Sequence, residues 1–558
     1  MPSFRLRFRP RLLDELRTYD ATRFGRDLGA GVTVAVVALP LAMAFAIASG
    51  ATPQAGITTA IVAGLLISML GGSRVQIGGP AGAFIVVIYG IIEKYGYANL
   101  LAATIFAGVM LLAMGALKLG SVIRYMPVAI VVGFTNGIAV LIALSQLKDF
   151  FGLDIGRMPG DFFAQVGMLA RHAHSVHLPT LALGLASLAV VFLWPRLFTG
   201  RYADPYRNQA WFRLLSALPG SIIVLVAATG AVMLLPLDVQ TIGSRFGGIP
   251  NTLPALAIPV FSPALLRELF APALTIALLG AIESLLCAKV ADNLIGDRHD
   301  PNQELMAQGV ANIVAPFLGG LPATGTIART VVNVRSGASS PVAGMIHAAT
   351  LLLIMLAAAP LARHVPLAGL AAILLYVAFN MFEWHSLPRM MRLTLPYRLL
   401  LLATFGLTVV VDLTVAVEVG LVLACVFFIY RISSLTTIEP VHGQSLPPGV
   451  EAYAIFGSLF FGAVGRLDAL LAPDRPPPRV LILELHKLIN LDVTCLEALE
   501  QIHATLLRHR SRLILCGANH QPRAMMERGG FLGRLGHDNC VRDLHAALAL
   551  VKDEALAA

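Results

Sequence analysis

Two short runs of small residues stand where a backbone could hold an anion. The first is Gly78-Gly79-Pro80-Ala81-Gly82-Ala83-Phe84, and the second is Pro322-Ala323-Thr324-Gly325-Thr326-Ile327-Ala328-Arg329-Thr330. Glycine and alanine let a chain approach a ligand closely, and proline suits a first helical turn. A helix that begins inside an apolar environment presents unpaired N–H groups and a partial positive charge, which bind an anion without any side chain. If the two helix starts face each other, an anion between them meets two dipoles and the hydroxyls of Thr324 and Thr326. The candidate binding residues are then Gly79, Pro80, Ala81, Gly82 and Ala83 from the first run, and Thr324, Gly325, Thr326, Ile327 and Arg329 from the second. The plainer alternative is a pair of loops whose glycines only pack helices.

Side chains near these runs sharpen the chemistry. Arg329 lies one turn into the second helix, and a charge inside an apolar span marks either function or a paired partner. It supplies positive potential behind the anion or neutralises a carboxylate. Glu283 sits in Gly280-Ala281-Ile282-Glu283-Ser284-Leu285-Leu286-Cys287. A carboxyl there that takes up a proton as the anion binds would couple the two; a permanent ion pair with Arg329 is the alternative. His347 reads as a packing histidine with satisfied nitrogens. Phe45, in Pro40-Leu41-Ala42-Met43-Ala44-Phe45-Ala46, follows a proline that can free backbone carbonyls. It is a wall of the site or a lipid-facing filler.

The elements that must position these residues are set by composition. The chain has 558 residues, 57% hydrophobic and 13% charged. Soluble domains carry about 25% charged residues, so a soluble multidomain enzyme is excluded, and the glycines and prolines follow no collagen-like period. A polytopic helical membrane protein remains. The net charge of +9 then reads as positive-inside loops rather than a nucleic-acid surface. Cys287, Cys425, Cys495, Cys516 and Cys540 lack metal-ligand or CxxC spacing and read as reduced and buried. HExxH, GxSxG and paired His/Asp constellations are absent from the sequence, and no metal, cofactor or enzymatic activity is expected.

Apolar stretches near the ~20 residues needed to cross a bilayer fall at 28–48, 53–72, 97–117, 127–147, 178–194, 215–236, 268–291, 303–319, 341–362, 367–382, 397–413 and 416–436. Two shorter segments, 81–93 and 326–334, follow Gly/Pro-rich breaks. Counted as half-spans they are third and tenth, the same place in two sets of seven. A seven-span unit repeats with inverted orientation, and matched broken segments point to a transporter's binding site. Twenty basic residues fall in one set of expected loops and tails and seven in the other, which places the N-terminus inside with an even number of crossings. The arginine-rich tail 1–26 reads as a cytoplasmic topogenic signal resting on anionic lipid, without a cleavable signal peptide.

After about residue 440, strand-like runs (Ala452–Phe461, Val480–Leu485, Leu513–Cys516) alternate with helical patterns (Cys495–Leu507, Arg523–Arg528, Val541–Val551), the mark of a small soluble α/β domain. The expected organisation is a tail at 1–26, a transmembrane domain at 27–436, a linker at 437–449 and an α/β domain at 450–558. Thr494…Glu497 has capping-box spacing.

The run Pro40–Gly50, the segment Gly71–Pro80, the run Gly280–Ala288, the Asn302…Glu304…Gly309…Asn312 spacing and Thr326…Arg329 together resemble the SulP anion permeases, and the C-terminal piece resembles a STAS domain. The resemblance covers nearly the whole chain. It implies a core domain (spans 1–4 and 8–11) moving against a gate domain (5–7 and 12–14), with an anion site between the third and tenth segments. Gly280–Ala288 and Thr324-Gly325-Thr326 look closest to bacterial proton-coupled C4-dicarboxylate transporters, which implies fumarate or succinate as substrate and Glu283 as the ion-coupling residue. It also implies a plasma (inner) membrane location with both termini cytoplasmic, a homodimer, and a protein partner for the STAS domain. Leu41 stands where many members carry Gln, which removes a polar group from the site. Thr494 stands where phosphorylatable STAS relatives carry Ser or Thr; helix capping is the plainer reading. Sodium-coupled sulfate or bicarbonate transport is the nearest rival. An anion channel shares the class, and nucleobase permeases share the architecture but place a Glu in the tenth segment.

Overall fold

In the computed structural model the chain separates into two compact units, Met1–Leu421 and Val422–Ala558. The structure describes residues 8–123, 127–156, 158–198, 209, 219–249, 252, 256, 263–384, 388, 390, 392–411, 413–442, 446–471 and 476–557. Several expected loop cations lie outside them, among them Arg5, Arg7, Arg124, Arg157, Arg201, Arg207, Arg213 and Arg389.

The membrane elements are α1 (Ala21–Ala48), α2 (Pro53–Leu70), α3 (Ile85–Tyr95), α4 (Tyr97–Ala116), α5 (Val128–Phe151), α6 (Leu178–Leu197), α7 (Gly220–Leu234), α8 (Phe270–Ile295), α9 (Pro301–Val314), α10 (Ile327–Arg335), α11 (Val342–Ala362), α12 (Leu367–Met381), α13 (Leu395–Val410) and α14 (Leu413–Leu435). They follow the expected spans in order, with the third and tenth short. Helices α1, α2, α4, α5, α6, α8 and most of α14 are long and apolar enough to cross a bilayer by themselves. Local chemistry sets their ends. Asp20 caps α1 by accepting from the Arg23 N–H at 2.7 Å. Asp300 caps α9 with Pro301 in its first turn. Gly152 and Gly296, both left-handed, close α5 and α8.

Helices α1–α4 pack with α8–α11, while α5, α6, α7, α12 and α13 pack among themselves. The tightest crossing in the first bundle joins α4 to α9. A Cβ on Gly309 would stand 2.6 Å from the Leu112 nitrogen, and one on Gly108 would stand 2.8 Å from the Gly309 carbonyl. Only glycine permits that backbone contact, the small-residue packing favoured between membrane helices. The preceding segment is tied to the same bundle. Arg11 pairs with Asp297 at 2.9 Å, and Glu15 bridges Arg23 and Arg74.

The second unit holds a sheet of β3 (Thr437–Pro440), β4 (Val450–Leu459), β5 (Val480–Glu484), β6 (Leu488–Leu491), β7 (Arg512–Cys516) and β8 (Cys540–Val541), in the order β3-β4-β5-β7-β8 with β6 beside β4. Helices α15 (Val493–Arg508), α16 (His520–Arg528), α17 (Phe531–Leu535) and α18 (Leu544–Ala557) accompany it. Strand β3 occupies the start of the expected linker. It pairs antiparallel with β4, Ile438 facing Ile455, and so belongs to the sheet. The capping expectation for Thr494 fails. Asp492 has the extended backbone of a cap and accepts from the Cys495 N–H at 2.8 Å, which starts α15 earlier and leaves Thr494 exposed on its first turn. All five cysteines are free, but Cys425 is exposed and Cys540 half-buried, against the expectation that all are buried.

Candidate functional site

The two small-residue runs meet. Strand β1 (Gly78–Gly79) pairs antiparallel with β2 (Thr324–Gly325), with Gly78 opposite Gly325 and Gly79 opposite Thr324. Each strand leads directly into a short helix: β1 through a 3₁₀ turn at Gly82–Phe84 into α3, and β2 through Thr326 into α10. Pairing holds the chain extended up to Gly79, so Pro80 and Ala81 precede the helix instead of forming its first turn. Neither helix start has a side-chain cap. The orphan N–H groups of two first turns are therefore left for a ligand.

Side chains close around this crossing. The Phe45 ring is buried against Gly82, whose Cβ would stand 3.5 Å from Cε1 and 3.7 Å from Ile142 Cδ1 of α5. Phe45 is thus a wall of the first helix start and not a lipid-facing filler. Gly79 has φ +151°, and a Cβ there would fall 2.3 Å from Arg329 Nη1. The guanidinium lies over that glycine, which no other residue could replace without moving it.

Arg329 is 1% exposed, and Nε, Nη1 and Nη2 all lack a hydrogen-bond partner. Glu283 Oε2 is likewise buried and unpartnered, and no ion pair joins Glu283 to Arg329 among the described residues. The lock between the two helices is absent from this structure. Thr324 Oγ1 donates to the Gly280 carbonyl at 2.9 Å, and Thr326 Oγ1 to the Ile77 carbonyl at 3.1 Å. Both hydroxyl protons, expected to face an anion, thus hold the crossing to its neighbours. Ile327 is 40% exposed at the start of α10.

Two polar residues of this cluster escaped the sequence reading. The Gln76 amide lies on Gly325, whose Cβ would fall 1.7 Å from Nε2, and neither of its polar atoms has a partner. His347 is fully buried with both ring nitrogens unpartnered, which corrects the expectation of a satisfied packing histidine. The only sequence signal for Gln76 was a polar amide two residues before the Gly-Gly run.

Helix α9 holds both strands in place. Glu304 accepts from the N–H groups of Gly72 and Ser73, at 2.9 and 3.2 Å, and from the Gln308 amide at 2.9 Å. Asn312 bonds the Ala323 backbone in both directions at 2.8 Å. From α2, Thr59 Oγ1 accepts from the Leu321 N–H at 2.7 Å. The Asn302…Asn312 spacing seen in the sequence is thus the strut under the crossing. The balance at the centre is an excess of donors: two uncapped helix starts and a guanidinium with five N–H bonds. Buried donors without partners are costly in an apolar interior, and an anion is the group that satisfies them.

Fold and site together define a polytopic helical protein whose polar centre is a pair of half-helices joined by two strands beside an unpaired cation. Residues 24–404 match the sulfate permease family and residues 446–547 the STAS domain. The chain belongs to this SulP family of anion transporters, with a C-terminal STAS domain. It is 40% identical over 533 residues to the putative sulfate transporter YvdB of Bacillus subtilis, covering 94% of this chain and 97% of that protein. It is 29% identical to the bicarbonate transporter BicA of Picosynechococcus, covering 94% of each. The solved transmembrane domain of a cyanobacterial BicA aligns with TM-score 0.62 at 31% identity, covering 72% of this chain and 98% of that one. Murine Slc26a9 aligns with TM-score 0.86 over 97% of this chain and 94% of that one; at 18% identity it shows the fold alone. These relatives are named for sulfate and bicarbonate, which corrects the expected closeness to C4-dicarboxylate transporters.

Proposed function

We infer that the protein is a secondary active carrier for a small oxyanion of the sulfate or bicarbonate kind, bound where β1 and β2 cross. The observation that carries this reading is Arg329: a buried guanidinium without a partner, over Gly79 and beside two uncapped helix starts. The names of the relatives favour sulfate and bicarbonate, and the loss of a polar group at Leu41 gives no reason for a larger dicarboxylate.

Glu283 is the proposed proton-coupling group. Its carboxyl is unpaired, and α8 touches the crossing directly through the Gly280 carbonyl. Transport then proceeds by movement of the bundle α1–α4 with α8–α11 against the other, which carries Ile142 next to Gly82. Such a carrier sits in the plasma membrane with both termini in the cytoplasm.

The test is uptake by proteoliposomes of labelled sulfate, bicarbonate, fumarate and succinate, with pH and sodium gradients varied independently. Accumulation of sulfate or bicarbonate driven by a proton gradient is expected. Accumulation of only the dicarboxylates would overturn the substrate class, and dependence on sodium alone would overturn the coupling.

A further inference from the structure

A cavity of about 380 Å³ lies apart from the anion site, between the two helix bundles of the first unit. Met43 of α1, Ile57 of α2 and Met355 of α11 form one wall, and Val226, Thr229 and Met233 of α7 form the other. Met43, Ile57 and Met355 are almost fully buried, whereas Val226 and Met233 are 66% and 53% exposed. Among the described residues, the cavity therefore runs from the outer surface of α7, which is apolar and faces hydrocarbon in a membrane-spanning segment, inward to a closed floor.

Its lining is almost wholly apolar. The exception is Thr229, whose Oγ1 is buried and has no hydrogen-bond partner. An unfilled apolar void forfeits dispersion contacts on every side, and water gains nothing where one hydroxyl is the sole polar group. The occupant that matches is a hydrocarbon chain carrying one uncharged acceptor. In a bilayer that description fits the acyl chain of a phospholipid, with its ester carbonyl at Thr229.

We propose that this cavity is a binding site for one phospholipid acyl chain, held between the two bundles with its ester carbonyl accepting from Thr229 Oγ1. The site is separate from the transported anion and does not depend on which anion that is. It is nevertheless mechanically close to it. Met43 and Phe45 lie about 200° apart around α1, so opposite faces of one helix touch the lipid chain and the anion site. A chain wedged between α1 and α7 favours this arrangement of the bundles by its affinity for it.

Two substitutions separate this site from ordinary boundary lipid. Gly230 also lines the cavity, and a Cβ there meets nothing within 4 Å, so Gly230→Leu fills the space without a clash at its first atom. Thr229→Val keeps the shape and removes the hydroxyl. The full-length protein in vesicles of phosphatidylcholine, doped with phosphatidylcholine bearing a photoactivatable group on one acyl chain, is irradiated and the labelled peptides are mapped. Labelling concentrated on α1, α7 and α11 is expected. It should fall about fivefold in Thr229→Val, the scale of one lost hydrogen bond, and be nearly lost in Gly230→Leu, while labelling of the exposed faces of α6 and α13 stays constant. Even labelling of all outward-facing helices, unchanged in both variants, identifies boundary lipid only and overturns the proposal. Thermal unfolding of each variant in the same vesicles, matching that of the parent, separates loss of the site from loss of the fold.

Discussion

A guanidinium that no acceptor reaches is the least stable thing in the transmembrane unit until an anion joins it. Removing Arg329 therefore removes attraction in proportion to ligand charge. In Arg329→Ala, sulfate binding should weaken more than bicarbonate binding, measured as dissociation constants on the purified protein; equal losses would assign the residue to packing. Glu283→Gln keeps size and hydrogen bonding but cannot exchange a proton. It should retain anion binding and exchange at equal pH while losing accumulation driven by a pH gradient; undiminished accumulation removes Glu283 from the coupling role. At this scale, the glycine runs, Arg329 and Glu283 were legible because glycine clusters and lone charges are anomalous in apolar spans. Gln76 and His347 were not. Whether a polar group is satisfied depends on which atoms finally face it, and neither residue type nor spacing encodes that.

Helix α9 illustrates what elements contribute. It touches no proposed ligand, yet Glu304 holds the loop before β1 and Asn312 holds the residue before β2. Asn312→Ala leaves the Ala323 N–H and carbonyl unpaired in the interior and should cost about 2 kcal/mol of stability, read as a lower unfolding midpoint together with weaker anion binding. In the second unit, burial pushes the thiols of Cys495 and Cys516 up to about 12. A thiolate is the reactive form, so at mildly alkaline pH iodoacetamide should leave both unlabelled in the folded protein and label them once it is denatured. The half-helices were readable from their length and their glycines. The strands between them were not, because two residues are too few for a β pattern. The same limit hid β3, taken as linker, and the Asp492 cap, where Thr494 offered an equally good local signal.

Taken whole, the molecule was the most legible of the three scales. The ratio of apolar to charged residues fixed its class, and the paired positions of the broken segments fixed where the halves meet. The positive-inside argument makes one further demand. Accessible tags at either terminus should be cleaved by protease in inside-out vesicles and protected in right-side-out ones; opposite behaviour of the two tags would break the inverted-repeat count. The distance in sequence between the partners of the central ladder has a consequence for biosynthesis. Gly79 waits for Thr324, so during translation the first broken segment sits in the bilayer with its backbone unmatched until more than half the polypeptide has been made. Insertion of the amino-terminal half is then provisional. Two separately expressed halves, divided between α7 and α8, should each be short-lived alone and rescue one another when made in the same cell.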